Sequence, residues 1–433
     1  MSKELQAQLV NQFKEINANG LNDIRKQALA DFQQAGFPGT KHEEWKYTPL
    51  HPILNQDYQL SSDKGKVDPA LIEKFSLRTN SFRAVFIDGV FDEEYSQLEG
   101  ARFEVMPFSK AISEKKELLD QHFAKVAPHN KQAWIEMNTA LSMEGIVVHV
   151  PKGLQVEKPL EIIYFASGKD KAPLLQYRNL IVLEEASEIQ IYERHQAVGN
   201  LHSLNNVVTE VVVGKMAHYD HYKVQNDEPN TALIDNTWLA QEQQSNATVD
   251  TFSLEGKFIR NNLSFLHKGE HIESRMYGVS LIGDDQLCDH HTLVDHAHPN
   301  CNSNQLYKGI YQGTSKGVFN GKVMVHSEAQ KTNAFQQNNN VLLGDHASLD
   351  TKPQLEIFAD DVKCSHGCTV GQLDEDAIFY LRSRGIAKQE AQAMLLYAFC
   401  MDSLQGVRIE ELQDKLKRLF AKKLGVNLDF DLA

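Results

Sequence analysis

The pattern of hydrophobic and polar positions separates the two ends of the chain from its middle. In the first 36 residues, apolar residues recur at helical spacing, for example at Leu5, Leu9, Ala28 and Phe32, and "AGFPG" then ends the pattern. Residues 37 to 140 mix helix-like runs with a strand and turn at "FRAVFIDGVF". We therefore predict an N-terminal helical and mixed α/β region over residues 1–140.

From residue 141 to 370 the pattern is that of strands. Short runs rich in Val, Ile and Phe are separated by Gly, Asn or other small residues. Small-residue corners near Ala186, Ala217, Ala247, Gly317 and Ala347 suggest a period of about 30 residues, with two turns of the same unit in the longest gap. This period predicts a solenoid in which each coil buries its apolar face against its neighbours. A β-sandwich is the alternative architecture.

After Gly371 helical spacing returns, which predicts a helical C-terminal region over residues 371–433. Asp374 fits a helix N-cap and Gly385 fits a helix end. The apolar positions of the last helix either face a partner or pack on the chain's own core; they include Ile409, Leu412, Leu416 and Phe420.

Composition and charge limit the environment and the partners. Five widely spaced cysteines in 433 residues do not fit a disulfide framework and favour a reducing compartment. The N-terminus lacks the apolar core of a signal peptide, and no run approaches the roughly 20 apolar residues of a membrane span. The net charge of -14 argues against nucleic-acid binding. We expect a cytoplasmic protein that binds neither nucleic acid nor membrane.

Common catalytic motifs are missing or incomplete. The stretch "HKGEH" (residues 267–271) matches H-x-x-E-H, a zinc-protease signature that requires a helix, but strand-like runs flank it, so we interpret it as a turn. The stretch "FNGKVMV" lacks both the first Gly and the hydroxyl residue of a phosphate-binding loop. The sequence therefore does not predict ATP hydrolysis by this chain alone.

A group of possible metal ligands lies between Cys288 and Cys301. This stretch contains Asp289, His290, His291, Asp295, His296 and His298. Because neighbouring strand residues point to opposite faces, His290 and His291 cannot both reach one ion without a turn. Histidine ladders and hydrogen bonds on a solenoid face are the interpretation that we favour, and a metal site is the alternative.

Near the end of the predicted solenoid, Cys364, His366 and Cys368 occupy alternate positions. On a strand these three side chains share one face at about 6.5 to 7 Å spacing. Thiolate and imidazole ligands suit iron, zinc or copper, but a tetrahedral ion holds its ligands roughly 3.5 to 4 Å apart. The row therefore makes a metal site only if a second chain supplies further ligands. Packing of small residues in a narrow coil is the alternative.

Four stretches carry a family resemblance over nearly the whole chain. "TKHEEWKYTPL", "SNQLYKGIYQG", "AQKTNAFQQNNNVLL" and "DTKPQLEIFADDVKCSHGCTVGQLDEDAIFYLRSRGI" resemble the SufB/SufD family of iron-sulfur cluster assembly proteins. In the SufB branch the family pattern has His-Glu-Ala where this chain has Ser365, His366 and Gly367. The SufD branch is the better match.

The resemblance implies a right-handed parallel β-helix, mainly β, flanked by helical N-terminal and C-terminal regions. It also implies a non-enzymatic scaffold subunit that pairs with a SufB homologue and binds the ATPase SufC through the helices from Asp374 to Leu424. In the family pattern Cys364 and His366 lie at the SufB interface as ligands of iron or of a transient iron-sulfur cluster, which the isolated chain does not hold tightly. Whether the isolated chain forms a homodimer stays open.

Cys368 departs from the family pattern, which has Ala there, and either extends the site or fills space. Two other functions stay open beside the scaffold. One is a β-helix polysaccharide lyase or hydrolase that uses acidic residues near Asp289 and Asp295. The other is a purely structural solenoid.

Overall fold

The computed structural model describes residues 2–13, 21–60, 64–78, 80–128, 132–167, 172–199 and 202–426, with helices towards both ends and strands between them. The helices are α1 Ser2–Phe13, α2 Asn22–Ala35, α3 His51–Leu54, α4 Pro69–Phe75, α5 Phe108–Glu114, α6 Lys116–His122, α7 Ala133–Leu141, α8 Glu375–Ser383, α9 Lys388–Met401 and α10 Glu410–Leu424, with short 3-10 helices at Glu43–Trp45 and Asp402–Gly406. The strands are β1 Tyr58–Leu60, β2 Phe82–Ile87, β3 Val90–Gln97, β4 Glu104–Pro107, β5 Ile146–Val150, β6 Leu160–Ala166, β7 Ala172–Leu183, β8 Glu188–Ala197, β9 Ser203–Val213, β10 His218–Asn226, β11 Thr231–Gln241, β12 Asn246–Glu255, β13 Phe258–His267, β14 Glu273–Ile282, β15 Leu287–His296, β16 Asn302–Gln312, β17 Lys316–Val325, β18 Asn333–Leu343, β19 Ser348–Ile357 and β20 Lys363–Gly371.

The strands from β5 onward form a parallel solenoid. Each strand from β5 to β18 pairs in parallel with the strand two places further along the chain, so that consecutive strands belong to different sheets. We call the sheet that contains β5 to β19 the odd sheet and the sheet that contains β6 to β20 the even sheet. Within the described ranges each sheet has 10 strands. The predicted mainly β solenoid is confirmed, and the β-sandwich alternative is wrong.

The corners of the solenoid correct one detail of the predicted period. Ala186, Ala217 and Ala247 lie where the chain passes from the odd to the even sheet, whereas Gly317 and Ala347 lie at the opposite corner. The gap between Ala247 and Gly317 therefore holds two turns and a further half turn, not two turns of one unit. At the corner before the even strands the backbone takes the left-handed conformation at Ala186 (φ 57°) and also at larger residues such as Met216 (φ 56°), so this corner does not require a small residue.

The aromatic segment before α3 crosses the outer face of the odd sheet. The guanidinium of Arg260 lies over the ring of Trp45, 4.3 Å from its centroid, and Arg260 Nη1 donates to the carbonyl of Glu44 at 2.9 Å. The carboxylate of Glu44 is 3.0 Å from Nδ1 of His291. These contacts fix the N-terminal region against strands β13 and β15.

The C-terminal helices pack on the outer face of the even sheet. Leu412, Leu416 and Phe420 of α10 are buried against solenoid residues that include Tyr222 and Phe252. Ile409 belongs to the same cluster. The apolar positions of α10 therefore pack on the chain's own core, which decides between the two alternatives left open for them. None of the described helices is long and apolar enough to cross a membrane.

The two ends of the solenoid are finished differently. At the N-terminal end, β2 and β3 continue the even sheet and β4 continues the odd sheet. At the C-terminal end, no strand within the described ranges continues either sheet beyond β19 and β20. We call β19 and β20 the terminal rung.

Candidate ligand row on the terminal rung

The structure places Cys364, His366 and Cys368 in one row on β20. They lie opposite Ala334, Gln336 and Asn338 of β18 in the parallel register, and these three partners are buried inside the solenoid. Because parallel neighbours in register point the same way, the row faces the interior of the solenoid. The predicted common face is confirmed, and it lies where the open end leaves the interior uncovered.

Exposure to solvent increases along this row. Cys364 is half-buried in an apolar cluster with Val323, Leu355 and Val362, whereas His366 and Cys368 are exposed. Burial raises the pKa of the Cys364 thiol, against a smaller opposing effect of a hydrogen bond with the backbone of Ala334. None of the three side chains is sealed inside the subunit, so a second protein has access to the row.

Polar side chains of the neighbouring strands line the inner side of Cys368. The Sγ atom of Cys368 lies 3.4 Å from Oγ1 of Thr351 on β19 and 3.9 Å from Oδ1 of Asn338 on β18. Oδ1 of Asn338 also accepts from Thr351 at 3.0 Å and from Nδ2 of Asn340 at 2.8 Å. The thiol thus lies beside an ordered polar group that both sheets build.

Large apolar side chains reach solvent on the terminal rung and next to it. Phe358 is 64% exposed and Val370 is 48% exposed, and Phe335 and Ile357 also reach solvent. The outer backbone edges of β19 and β20 have no strand partner among the described residues. Exposed edge strands with apolar side chains are templates for pairing with another chain.

The row does not complete a metal site by itself. Among the residues that the structure describes, no cluster of three or more His, Cys, Asp and Glu side chains is arranged to hold a metal ion. The strand spacing of about 6.5 to 7 Å is also too wide for adjacent ligands of one tetrahedral ion. Any iron held here therefore needs ligands from outside the described chain.

Comparison with known proteins identifies the family. The model of the SUF system FeS cluster assembly, SufBD core domain, matches residues 164–399, and the model of the SufBD protein N-terminal region matches residues 3–162. Iron-sulfur cluster assembly protein SufD of Escherichia coli is 33% identical over 404 residues, which cover 92% of each chain. This chain belongs to the SufBD family.

Other SufBD relatives match over different shares of the chain. An iron-sulfur cluster assembly SufBD family protein of Synechocystis is 29% identical over 430 residues, which cover 96% of this chain and 94% of the relative. Iron-sulfur cluster assembly protein SufB of Bacillus subtilis is 26% identical over 291 residues, which cover 67% and 62%. The family resemblance predicted from the sequence is confirmed, and family membership supports a role in iron-sulfur cluster assembly.

The histidine-rich stretch of this SufBD chain is divided between two faces of β15. His290 points inward, with Nε2 3.0 Å from Ser280 Oγ and 3.4 Å from Cys288 Sγ. His291 points outward and lies between the carboxylates of Glu44 and Asp289. Burial lowers the pKa of His290 to about 4 and raises that of Cys288 to about 12, which keeps both side chains neutral.

Two further details agree with a structural role for the histidines. The rings of His267 and His296 pack edge to face on neighbouring coils, with centroids 4.4 Å apart, which confirms a histidine contact between coils. His267 is the last residue of β13, and the other four residues of the motif lie in the connection to β14. The H-x-x-E-H motif therefore lies outside a helix and lacks the geometry of a zinc protease.

The acidic residues considered for a polysaccharide-cleaving enzyme form ion pairs with neighbouring side chains. Asp289 is fully buried and forms an ion pair with Arg260, which holds the pKa of its carboxyl well below the usual range. Asp295 is 2.7 Å from Nε2 of His326. A cleft of about 670 Å³ does lie beside Arg260 and His291, which are partners of Asp289, but Glu44 is the one carboxylate among its described lining residues. Glycoside hydrolysis commonly needs two carboxylates across the bond.

Sequence reasoning did not identify Gln336, Asn338 or Thr351 as neighbours of the row. They come from β18 and β19, and strand register decides which of their side chains face Cys364, His366 and Cys368. The run "QQNNN" (residues 336–340) is the one sequence signal that could have indicated them, because buried amides on a solenoid strand require partners on neighbouring coils.

Proposed function

We propose that this SufBD chain is a non-enzymatic scaffold subunit that pairs with a SufB homologue through the terminal rung. Cys364 and His366 contribute ligands to iron or to a transient iron-sulfur cluster, and the partner supplies the others. The cluster is the cargo of the assembly and is not held tightly by the isolated chain. The single observation that carries this proposal is the soft-ligand row on an uncovered solenoid end.

The chemistry of the terminal rung supports a protein partner. Unpaired backbone groups on β19 and β20 can accept another strand, and exposed side chains such as Phe358 and Val370 provide apolar area to bury. The same edge is available for a homodimer of isolated chains, so measurements on the free chain refer to its dissociated monomer. A heteromeric contact brings different ligands to the row, and a homomeric contact brings a second copy of the same ligands.

A second surface supports the binding of a SufC homologue. Phe379 and Tyr380 of α8 are 72% and 57% exposed, whereas the apolar face of α10 is buried. Asp374 caps α8 by accepting from the backbone N–H groups of Asp376 and Ala377, so the helix is well defined at its start. We assign the ATPase contact to α8, and ATP hydrolysis to the SufC homologue.

The test is reconstitution of the assembly with SufB and SufC homologues, ferrous iron and sulfide. We expect His366→Ala to lower the cluster content per assembly strongly while the three chains still co-elute. Ser365→Ala is the matched control, because Ser365 is an exposed neighbour that points to the opposite face. Equal cluster content in the two variants would remove His366 from the site.

The competing enzymatic function has its own test. Purified chain alone, incubated with acidic and neutral polysaccharides, is expected to release no new chain ends. Turnover by the isolated chain that Asp295→Asn abolishes would overturn the scaffold function.

A further inference from the structure

We propose that Cys368 is a further thiol ligand of the terminal rung and is better placed than Cys364 to bind the same cluster as His366. This inference deepens the proposed function and rests on it. It concerns a cysteine that the assignment of Cys364 and His366 leaves without a role.

The two thiols beside His366 differ in how accessible they are to a second protein. Both are separated from His366 by one residue on the same face of β20, so each lies at about the same spacing from the imidazole. Cys364 packs against the apolar cluster that contains Val323 and Ala334 and reaches solvent only in part. Cys368 is exposed. A ligand group from a second protein therefore meets Cys368 without displacing apolar side chains.

The sulfur of Cys368 has polar neighbours, as expected for a ligand. Its sulfur lies beside the hydroxyl of Thr351 and the amide oxygen of Asn338, which Thr351 and Asn340 hold in place through hydrogen bonds. A thiol that only fills space is expected among apolar atoms, as Cys364 is. Polar neighbours fix the orientation of a sulfur ligand and leave its outer side open to solvent.

A buried acceptor beside His366 is an independent observation. Gln336 lies opposite His366 in the register, is 1% exposed, and has no hydrogen-bond partner at Oε1. Its Nε2 donates to Oε1 of Gln305 at 3.3 Å. A metal-binding histidine usually donates its second ring N–H to such an acceptor, which sets the tautomer and frees the other nitrogen for the metal. Gln336 is thus a positioning residue for His366.

Together these side chains offer one imidazole and one exposed thiol to the same side of an interface. This donor pair suits iron and iron-sulfur clusters better than hard cations such as magnesium. Since the two groups are about 6.5 to 7 Å apart along the strand, they hold different edges of a cluster or different irons, with the partner's ligands between them.

The first experiment compares the thiols of the full-length free chain. Brief treatment with iodoacetamide, followed by peptide mass spectrometry, should modify Cys368 several times faster than Cys364 and leave Cys288 and Cys400 unmodified. In the assembly with SufB and SufC homologues, loading with ferrous iron and sulfide should protect Cys368 relative to the same assembly without iron. Faster modification of Cys364, or no protection by the cluster, would overturn the proposal.

The second experiment measures cluster content and the visible spectrum of assemblies that carry Cys368→Ala, Cys368→Ser or the control Ser365→Ala. We expect both Cys368 variants to retain severalfold less cluster, with shifted absorption bands, and the control to match the wild type. Gln336→Leu should weaken iron retention by about 10–100-fold, and Gln336→Glu should restore it because a carboxylate also accepts from the ring N–H.

The outcomes separate the two proposals. If His366→Ala loses the cluster and Cys368→Ala equals Ser365→Ala, the role of Cys368 is wrong and the scaffold function stands. If the wild-type assembly forms no cluster, or His366→Ala has no effect, the proposed function fails and the role of Cys368 fails with it.

Discussion

The two ends of the solenoid present the same kind of strand in opposite surroundings. At the N-terminal end every residue of β6 is buried, because β2 continues the even sheet and α4 packs over it. At the C-terminal end β20 is exposed along nearly its whole length, and β19 is only half-buried. The helices that follow β20 pack on the side of the solenoid and leave its last coil uncovered.

This difference shows that the chain covers one end of the solenoid and leaves the other end uncovered. A stack of parallel coils needs a cap at each end, because its last coil otherwise exposes apolar side chains and unpaired backbone groups. Here the uncapped coil is also the one that carries Cys364, His366 and Cys368. A partner that caps the coil reaches the candidate ligands by the same contact.

The largest expected effect is on the free energy of unfolding, when one apolar side chain at each end of the solenoid is truncated to alanine. Phe165 on β6 is fully buried, so Phe165→Ala should lower the free energy of unfolding by about 3–5 kcal/mol. Val370→Ala on β20 should change it by about 0.5 kcal/mol or less in the free chain. Urea denaturation measures both. Similar losses would mean that the terminal rung is already covered in solution.

A charge on the terminal rung should instead weaken association. Phe358→Glu places a carboxylate among the exposed apolar side chains of the edge and should weaken binding of a SufB homologue by about 30-fold or more, as loss of an aromatic anchor commonly does. Met216→Glu, at a corner remote from the edge, is the control. Titration calorimetry would contradict the prediction by giving equal affinities for the two variants.

The folding stability of the chain should fall at acid pH because His290 is buried in the solenoid interior. The pKa of His290 is about 4 in the folded chain, below the value of about 6.5 in an unfolded chain. Between these pH values the unfolded chain binds more protons, so the free energy of unfolding falls as the pH falls, and the stabilisation is fully present above about pH 6.5.

His290→Gln should therefore flatten the decrease in stability between about pH 6.5 and 4, by on the order of 1–3 kcal/mol. Urea midpoints measured across this range give the slope. His271→Gln, in an exposed connection, is the matched control and should keep the wild-type slope. Identical slopes for the two variants would mean that His290 is protonated inside the fold.

The smallest expected effect concerns α8, which lies just beyond the open end. Asp374→Ala removes the side chain that accepts from Asp376 and Ala377 and should destabilise the helix by about 1 kcal/mol. Limited proteolysis should then cut between residues 375 and 385 sooner, while the solenoid resists as before. An unchanged cleavage rate at α8 would show that its stability comes from other contacts.

The sequence predicts most of the local structure because alternation and small-residue corners follow from backbone geometry. Alternation alone placed Cys364, His366 and Cys368 on one face and separated His290 from His291. Asp374 was recognised as a cap because a carboxylate just before a helical run accepts from the first free N–H groups.

Long-range features could not be read in the same way. The stacking of Arg260 on Trp45 joins residues more than 200 positions apart, and no local pattern records it. The sequence did not show that Ala247 and Gly317 lie at opposite corners of the solenoid, because small residues occur at both corners. The exposure of the ligand row depends on the absence of a further coil within the described ranges, and the roles of Thr351 and Gln336 depend on strand register.

Hydrogen exchange tests the central claim most directly. Amide deuterium uptake of residues 348–371 would be compared in the free chain and in its complex with a SufB homologue. The uncovered edge predicts fast uptake at outward backbone groups of β19 and β20 in the free chain and strong protection in the complex, with β6 unchanged. Protection confined to other surfaces, with the terminal rung still exchanging rapidly, would contradict it.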